Sequence, residues 1–486
     1  MSRRLTLAAI LLSMFLAAME ATVVATAMPS VIADLHGLEL YGWVGAIYML
    51  SSTLTMPLYG KVADLYGRKP VLLGALVVFL VGSVASGFAH SMLALVAFRA
   101  LQGIGAGGIQ PIALTIVGDL YRPHERAKIQ GLFGAVWAVA GTSGPLLGGV
   151  LVRALSWRWV FFVNVPFALL AFVLLAVSFR EDVKKKVVHF DSLGSFLLSV
   201  GVVLLLAGAS RTRPMVTLPL SVLVLAAFVL VERRAKDPVL PPQLLMRRVI
   251  LVSSICGATT GALMSGTITY LPLYAQAVLG ESPTHAGLLL APLLVGWPIA
   301  STVAGRLLPT VGYRPFVRSG LLVTLLASIG LYVAVATRGN IVWIGAMMGI
   351  LGIGSGLSSV ATVIAVQESA AWNERGVATA STMFFRTIGG ALSVGAMGSI
   401  VATAVAAHTS PELMNDLLGP EHGKNLSKEV LLTLSNDLAS GTSRAFLIVL
   451  GLGFVAAVAG FMFPKTAPKR PDEAAHATSE AHVPLE

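Results

Sequence analysis

Three charged side chains stand inside otherwise apolar stretches of this 486-residue chain: Glu20, Arg99 and Arg386. Glu20 is the one acid deep in such a stretch. A carboxylate in an apolar interior has a high desolvation cost, so it must pair, face a wet cavity or hold a proton. A group of that kind can load and release a proton as its exposure changes. The plainer reading is an acid that only fixes helix packing; an acid at membrane depth favours the first. Arginine keeps its charge at every relevant pH. Arg99 and Arg386 therefore either tune a nearby acid or serve as structural partners to helix carbonyls.

A second group lies in Gly60-Lys61-Val62-Ala63-Asp64-Leu65-Tyr66-Gly67-Arg68-Lys69-Pro70. Read as a latch, Asp64 caps a neighbouring helix N-terminus, where an anion is favoured, and Arg68 pairs with Asp119. Read plainly, this is a basic turn. Lys61 and Lys69 suit that reading; Asp64 does not, since a basic turn has no need of an acid. Gly141, Gly144, Gly148 and Gly149 recur at spacings of three and four, a small-residue face that a partner helix can approach closely. Pro145 among them removes a backbone hydrogen bond and bends the helix. Trp43, Gln110, Trp137, Tyr270, Tyr274, Trp297, Phe384 and Phe385 are candidates for a mostly apolar pocket with few polar groups. Core or lipid packing is the stronger expectation for any one of these aromatics.

The elements that must position these groups follow from composition. Apolar residues make up 56% of the chain and charged residues 12%, against about 25% charged in a soluble domain. Apolar runs of roughly 20 residues recur, each long enough to cross a hydrocarbon core of about 30 Å. In lipid every backbone polar group is satisfied internally, which leaves helices or closed barrels, and these runs are too long for barrel strands. The predicted class is all-α and integral to the membrane. Fourteen spans are expected, near 5–31, 41–63, 71–90, 92–118, 127–152, 159–179, 191–209, 215–231, 249–279, 284–308, 315–336, 340–366, 376–407 and 442–463. The first is not expected to be a cleaved signal, because its apolar run continues past Glu20.

The net charge of +11 does not point to nucleic acid. With fourteen spans, 24 of the 34 Lys and Arg fall on one side, 8 on the other and 2 within spans. That bias places the basic side, and both termini, in the cytoplasm. Cys256 is the single cysteine, so no disulfide framework or cysteine metal site is expected. The glycines at 103–108 sit in an apolar helix without the lysine or strand of a phosphate loop. No nucleotide, metal or other cofactor is expected.

The chain also repeats itself. Gly60–Pro70 matches Gly305–Pro315 at an offset of 245. Leu101–Gly107 matches Ile350–Gly356 at 249, as do Glu125-Arg126 and Glu374-Arg375. This gives a six-helix bundle over 1–180, two inserted helices with basic linkers over 181–248, and a second six-helix bundle over 249–464. Parallel halves with a site between them at mid-depth are a known transporter plan. An outer loop is expected over 408–441, part of it an amphipathic surface helix carrying Leu426, Val430, Leu431 and Leu434. A disordered cytoplasmic tail is expected over 465–486.

These motifs resemble those of the major facilitator superfamily, specifically its fourteen-span drug:proton antiporter branch. Gly60–Lys69 is similar to the loop signature between spans two and three. Arg99-Ala100-Leu101-Gln102-Gly103-Ile104-Gly105-Ala106-Gly107 is similar to the span-four signature. Gly141–Gly149 is similar to the span-five antiporter signature. Trp157–Pro166 resembles the start of span six, Met19–Pro29 the span-one signature, and Arg386 a recurrent arginine of span thirteen. Many members carry Asp where this chain has Glu20. The resemblance implies a non-enzymatic, proton-coupled multidrug exporter of the inner membrane. Glu20, Arg99 and Arg386 would serve proton coupling, and Gly60, Asp64, Gly67, Arg68, Lys69 and Asp119 gating. The implied partners are protons, the lipid bilayer and a small lipophilic substrate, cationic in the first instance, with the chain a monomer. Rival readings are the same architecture carrying a lipid, siderophore or sugar derivative, a channel, or a membrane enzyme or sensor.

Overall fold

A computed structural model of the chain describes residues 3–35, 41–121, 123–181, 191–209, 213–235, 238–281, 283–405 and 428–465. The described residues form helices and their connections. The first half holds α1 (Arg3–Leu35), α2 (Tyr41–Tyr66), α3 (Arg68–Gly87), α4 (Met92–Leu120), α5 (Pro123–Ala154), α6 (Trp159–Phe162) and α7 (Asn164–Ser178). Then come α8 (Ser192–Ala209), α9 (Pro214–Glu232) and the short α10 (Pro242–Leu245). The second half holds α11 (Arg248–Ala277), α12 (Pro283–Leu288), α13 (Ala291–Val311), α14 (Tyr313–Ala336), α15 (Ile341–Ser369), α16 (Arg375–Val405) and α17 (Lys428–Met462). Among the described residues, ten helical stretches are long and apolar enough to cross a membrane.

Local chemistry sets the boundaries. Gly67 and Gly312 turn the chain into α3 and α14 at φ of 98° and 87°, a region that favours glycine. Ser91 and Asn340 cap α4 and α15, accepting from Ala94 N at 3.2 Å and Trp343 N at 2.8 Å. Each of these pairs lies at the repeat offset, 245 or 249 residues apart. Deeper contacts repeat too. Arg126 donates to the Gly118 carbonyl, and its counterpart Arg375 donates to the Gln367 carbonyl. Arg68 pairs with Asp119 at 3.1 Å, and Tyr313 donates to Glu368 at 2.5 Å in the matching place.

Each half has its own core. Leu16, Phe79, Ile109, Phe161 and Leu175 lie in the cores of the first half, and Leu271, Tyr313, Leu351 and Phe446 in that of the second. The α8–α9 pair packs through Leu198, Val202 and Phe228 against Phe384 and Ile388 of α16. The halves meet along α2 with α16 and along α5 with α13. A Cβ on Gly60 would lie 2.5 Å from the Ala380 Cβ, and one on Gly134 would lie 2.7 Å from Pro298 Cγ.

The helix α5 meets α13 closely at Gly131 and Gly134; further along, a Cβ on Gly141 would sit 4.0 Å from Leu294 and one on Gly149 would meet nothing within 4 Å, while Gly144 and Gly148 are buried. The two helices close at one end and part towards the other. Pro145 lies within α5, and its side chain is outside the described residues. The separate amphipathic helix is instead the start of α17, one helix from Lys428 into the bundle, with Leu434 buried in the core of the second half. Leu426, the side chains of Val430 and Leu431, the loop residues 408–427 and the tail after Lys465 fall outside the described residues.

Close helix contact makes a prediction. A Cβ on Gly105 would strike the backbone of Phe79 and lie 2.7 Å from the Ala75 carbonyl oxygen. Gly105→Val should part α3 from α4 and cost about 1–3 kcal/mol, as overpacking does. A clear fall in melting temperature of the purified protein checks it, with Gly74→Ala, where a Cβ meets nothing within 4 Å, as the silent control.

Candidate functional site

The deep acid lies in a closed pocket of the first half. Glu20 on α1 is 1% exposed and Arg99 on α4 is 2% exposed. The Arg99 guanidinium is in direct contact with Glu20 Oε1. The same nitrogen donates to Gln102 Oε1 at 2.7 Å, and Arg99 Nε donates to the Val44 carbonyl at 3.2 Å. Tyr48 lies under the guanidinium at 4.3 Å. Asn164 at the start of α7 donates to Glu20 Oε2 at 2.6 Å and to Ser83 Oγ at 3.0 Å. Both carboxylate oxygens are thus bonded. Two polar atoms beside them, Gln102 Nε2 and Asn164 Oδ1, are buried without a partner. The pocket has hydrogen-bonding capacity left for a second arrangement of the same groups.

A second cluster joins the halves at the end of the bundle where α1 begins and α17 finishes. Tyr121 binds the Arg3 carbonyl there, and Arg318 binds that of Phe461. Asp64, near the end of α2, accepts from Gly376 N at 2.9 Å and Val377 N at 2.8 Å, buried amides in the first turn of α16. Arg68 is fully buried. It reaches Asp64 at 3.1 Å, Asp119 at 3.1 Å and the Trp372 carbonyl at 2.8 Å, with its guanidinium 4.0 Å from the Trp372 ring centre. Arg375 reaches across to Asp119 at 2.7 Å, and Gln367 donates to the Leu114 carbonyl at 3.0 Å. Lys69 instead stays within its half, giving Nζ to the Ala176 carbonyl at 2.6 Å and its backbone N–H to Glu181 at 3.0 Å. Gly60 and Gly67 act through space and backbone geometry.

Two cavities share Arg386, Ser359, Val363 and Met383. One lies between the halves, lined by Gln110, Gln130, Phe133 and Trp137 from the first half and Trp297 from the second. The other lies within the second half, lined by Ser253, Cys256 and Thr260 of α11, Thr362 of α15 and Thr382 of α16. Met14 of α1 lines the first cavity, six residues before Glu20, or about 9 Å along the helix axis.

Several sequence-based candidates sit elsewhere. Arg386 lies over Trp297 at 4.8 Å and contacts Met264 Sδ at 3.8 Å, whereas Glu20 is paired with Arg99. Tyr274 is buried in the second half's core, its hydroxyl on the Val335 carbonyl. Tyr270 binds the Val394 carbonyl at 2.8 Å beside Gly398. Phe384 faces α8 and α9, and Trp43 is 51% exposed near the start of α2. Asn164, Gln102, Trp372, Arg375 and Gln130 belong to the site, and their residue types alone did not mark them. A lone amide in the apolar run of α7 was the usable signal for Asn164.

The description Major Facilitator Superfamily matches residues 10–394. The chain is 34% identical over 434 residues to "Multidrug transporter protein MdtP" of Bacillus subtilis (strain 168), covering 86% of this chain and 78% of the relative. It is 32% identical over 406 residues to "Multidrug resistance protein 3" of the same organism, covering 80% and 78%. Its fold is similar to that of the proton:xylose symporter XylE bound to 6-bromo-6-deoxy-D-glucose, with a TM-score of 0.64, 15% identity, and coverage of 97% and 98%.

The helix-capping contact is testable through the single, buried Cys256, which lines a cavity. Asp64→Asn removes the charge from two charge-assisted hydrogen bonds, each worth about 1.5–3 kcal/mol. A membrane-impermeant maleimide applied at the Asp64 end should label Cys256 at least about tenfold faster in Asp64→Asn than in the parent, since each 1.4 kcal/mol shifts a population tenfold. Equal rates would show that the contact does not hold that end closed.

Proposed function

The chain belongs to the major facilitator superfamily, and on that premise we propose that it exports lipophilic small molecules in exchange for protons by alternating access. The observation that carries this reading is the buried Glu20–Arg99–Asn164 constellation, one stretch of α1 away from a cavity between two halves. An acid held there works as a proton carrier because its ion pair exists only while it is charged. In support, relatives at 34% and 32% identity carry multidrug names.

In the proposed cycle all fourteen long helices span the inner membrane and the Asp64 end is cytoplasmic. The basic residues crowding that end, Arg3, Arg68, Lys69, Arg126 and Arg375 among them, agree with the positive-inside bias. With the Asp64–α16 and Asp119–Arg375 contacts made, the cytoplasmic end is closed. A proton reaching Glu20 from the outer side neutralises the carboxylate and releases Arg99. Gln102 and the Val44 carbonyl, already bonded to it, keep the guanidinium satisfied. The halves then rock, Asp64 leaves the α16 amides, and the cavity opens inward. Glu20 gives its proton to the cytoplasm as substrate enters and re-forms the pair with Arg99. One deep acid gives at least one proton per cycle an obvious carrier.

Glu20 is sealed in the conformation described, so its access to water belongs to the opening of the pair and not to a standing wet cavity. Glu20→Gln keeps the side chain's length and removes its titration. In liposomes of purified protein, this variant should lose efflux driven by a pH gradient while still folding and binding substrate; its melting temperature falls, because Arg99 is left without its counter-charge. Undiminished gradient-driven export by Glu20→Gln would refute the coupling role.

A further inference from the structure

The cavity between the halves contains a charge that the transport cycle above does not use. Arg386, on α16, lines both cavities where they meet. Among the described residues no carboxylate lies within ion-pair distance of it; its neighbours are the Trp297 ring at 4.8 Å and Met264 Sδ at 3.8 Å. Neither cavity has an acidic residue in its wall among the described residues. The nearest deep acid of the other half, Glu20, is already committed to Arg99 and Asn164. Asp64 is committed to α16 and Arg68. The cavity therefore presents one permanent positive charge with no internal counter-ion.

We infer that this site takes amphiphilic organic anions, an aromatic or apolar body bearing one carboxylate or sulfonate, in preference to lipophilic cations. The inference rests on the cavity being the exporter's substrate site. Its physical basis is the field of Arg386 in a low-dielectric setting. There a ligand cation meets repulsion that water barely screens, and a ligand anion supplies the missing counter-charge. The planar guanidinium fork suits a carboxylate or sulfonate, giving two parallel hydrogen bonds where a point charge gives one.

A second group points the same way. Ser253 on α11 is 2% exposed, lines the cavity that Arg386 lines, and its hydroxyl has no hydrogen-bond partner. The other hydroxyls of that wall return their protons to helix carbonyls, as Thr260 does to Cys256 and Thr362 to Ser358. Ser253 alone among them keeps a proton free for an acceptor. The apolar part of the ligand has a matching place in the adjoining cavity, between Phe133, Trp137 and Trp297, with Gln110 and Gln130 beside them. Both spaces are narrow in this conformation, about 20 and 40 Å³, so the ligand is accommodated as the halves part. One residue reverses the expectation of a cationic cargo: the ring faces alone would favour a cation, and the unneutralised charge of Arg386 among them turns the preference to an anion.

The test is equilibrium binding to the full chain in lipid nanodiscs, corrected against empty discs. Three probes are compared: 1-anilinonaphthalene-8-sulfonate, its uncharged parent N-phenyl-1-naphthylamine, and tetraphenylphosphonium. The wild-type protein should bind the sulfonate at least about tenfold more tightly than either other probe, the size expected of charge-assisted hydrogen bonds. Arg386→Gln should erase that margin and leave the neutral probe within about threefold of wild type, while Arg386→Lys retains part of it. Binding of tetraphenylphosphonium as tight as that of the sulfonate by wild-type protein overturns the inference without recourse to any variant. So does an Arg386→Gln protein that keeps its sulfonate affinity. Gradient-driven efflux of the bound probe reads the exporter assignment separately. Sulfonate selectivity without such flux upholds the anion site and removes that assignment; flux without selectivity does the reverse.

Discussion

A carboxylate cannot sit bare at membrane depth, and the first half of this protein is arranged around that constraint. Glu20 draws a guanidinium from α4 and an amide from α7, and the guanidinium in turn holds the α2 backbone at Val44. Four helices are tied by one acid. A buried ion pair of this kind adds little net stability over an apolar replacement, whereas stripping one partner of its charge costs about 3–5 kcal/mol. In the proposed cycle the pair serves as a switch, made while Glu20 is charged and broken when it is neutralised.

The repeat gives the proposed switch two like bundles to move. Glycine turns at 67 and 312, caps at 91 and 340, and arginine–carbonyl bonds from 126 and 375 recur in both halves. Where the halves differ, the differences fall at the proposed working points. Asp64 caps α16, while its repeat counterpart is Pro309, which cannot return the favour to α5. Arg386 stands at the repeat position of Trp137, and the two line the same cavity from opposite sides. A symmetric pair of bundles thus carries an asymmetric contact at one end and a charge on one wall of the central space.

Much of this was legible in the sequence, for reasons that also set the limit. The helices could be placed because lipid forces every backbone group into an internal bond, so apolar run length and glycine or proline punctuation mark them well. Glu20, Arg99 and Asp64 stood out because charge is rare and costly there. Faces were not legible. In water an apolar stripe reports the core, but in lipid both faces of a helix are apolar, so periodicity does not separate Trp297 in the cavity from Tyr274 in the core. Partners that are backbone atoms were equally silent: nothing in Gly376 or Val377 announces that their amides receive Asp64. The partner-free hydroxyl of Ser253 is a property of packing alone.

The central claim is that Glu20 changes charge during the cycle, and infrared difference spectroscopy on the protein in lipid reads that event directly. Spectra taken at high and low pH, with Glu20→Gln as the reference, isolate the carbonyl stretch of a protonated carboxylic acid at this position. The account predicts such a band on acidification, its absence in the variant, and its loss when substrate binds with the cytoplasmic end open. A Glu20 that shows only carboxylate bands across the whole working pH range, with and without substrate, would contradict it.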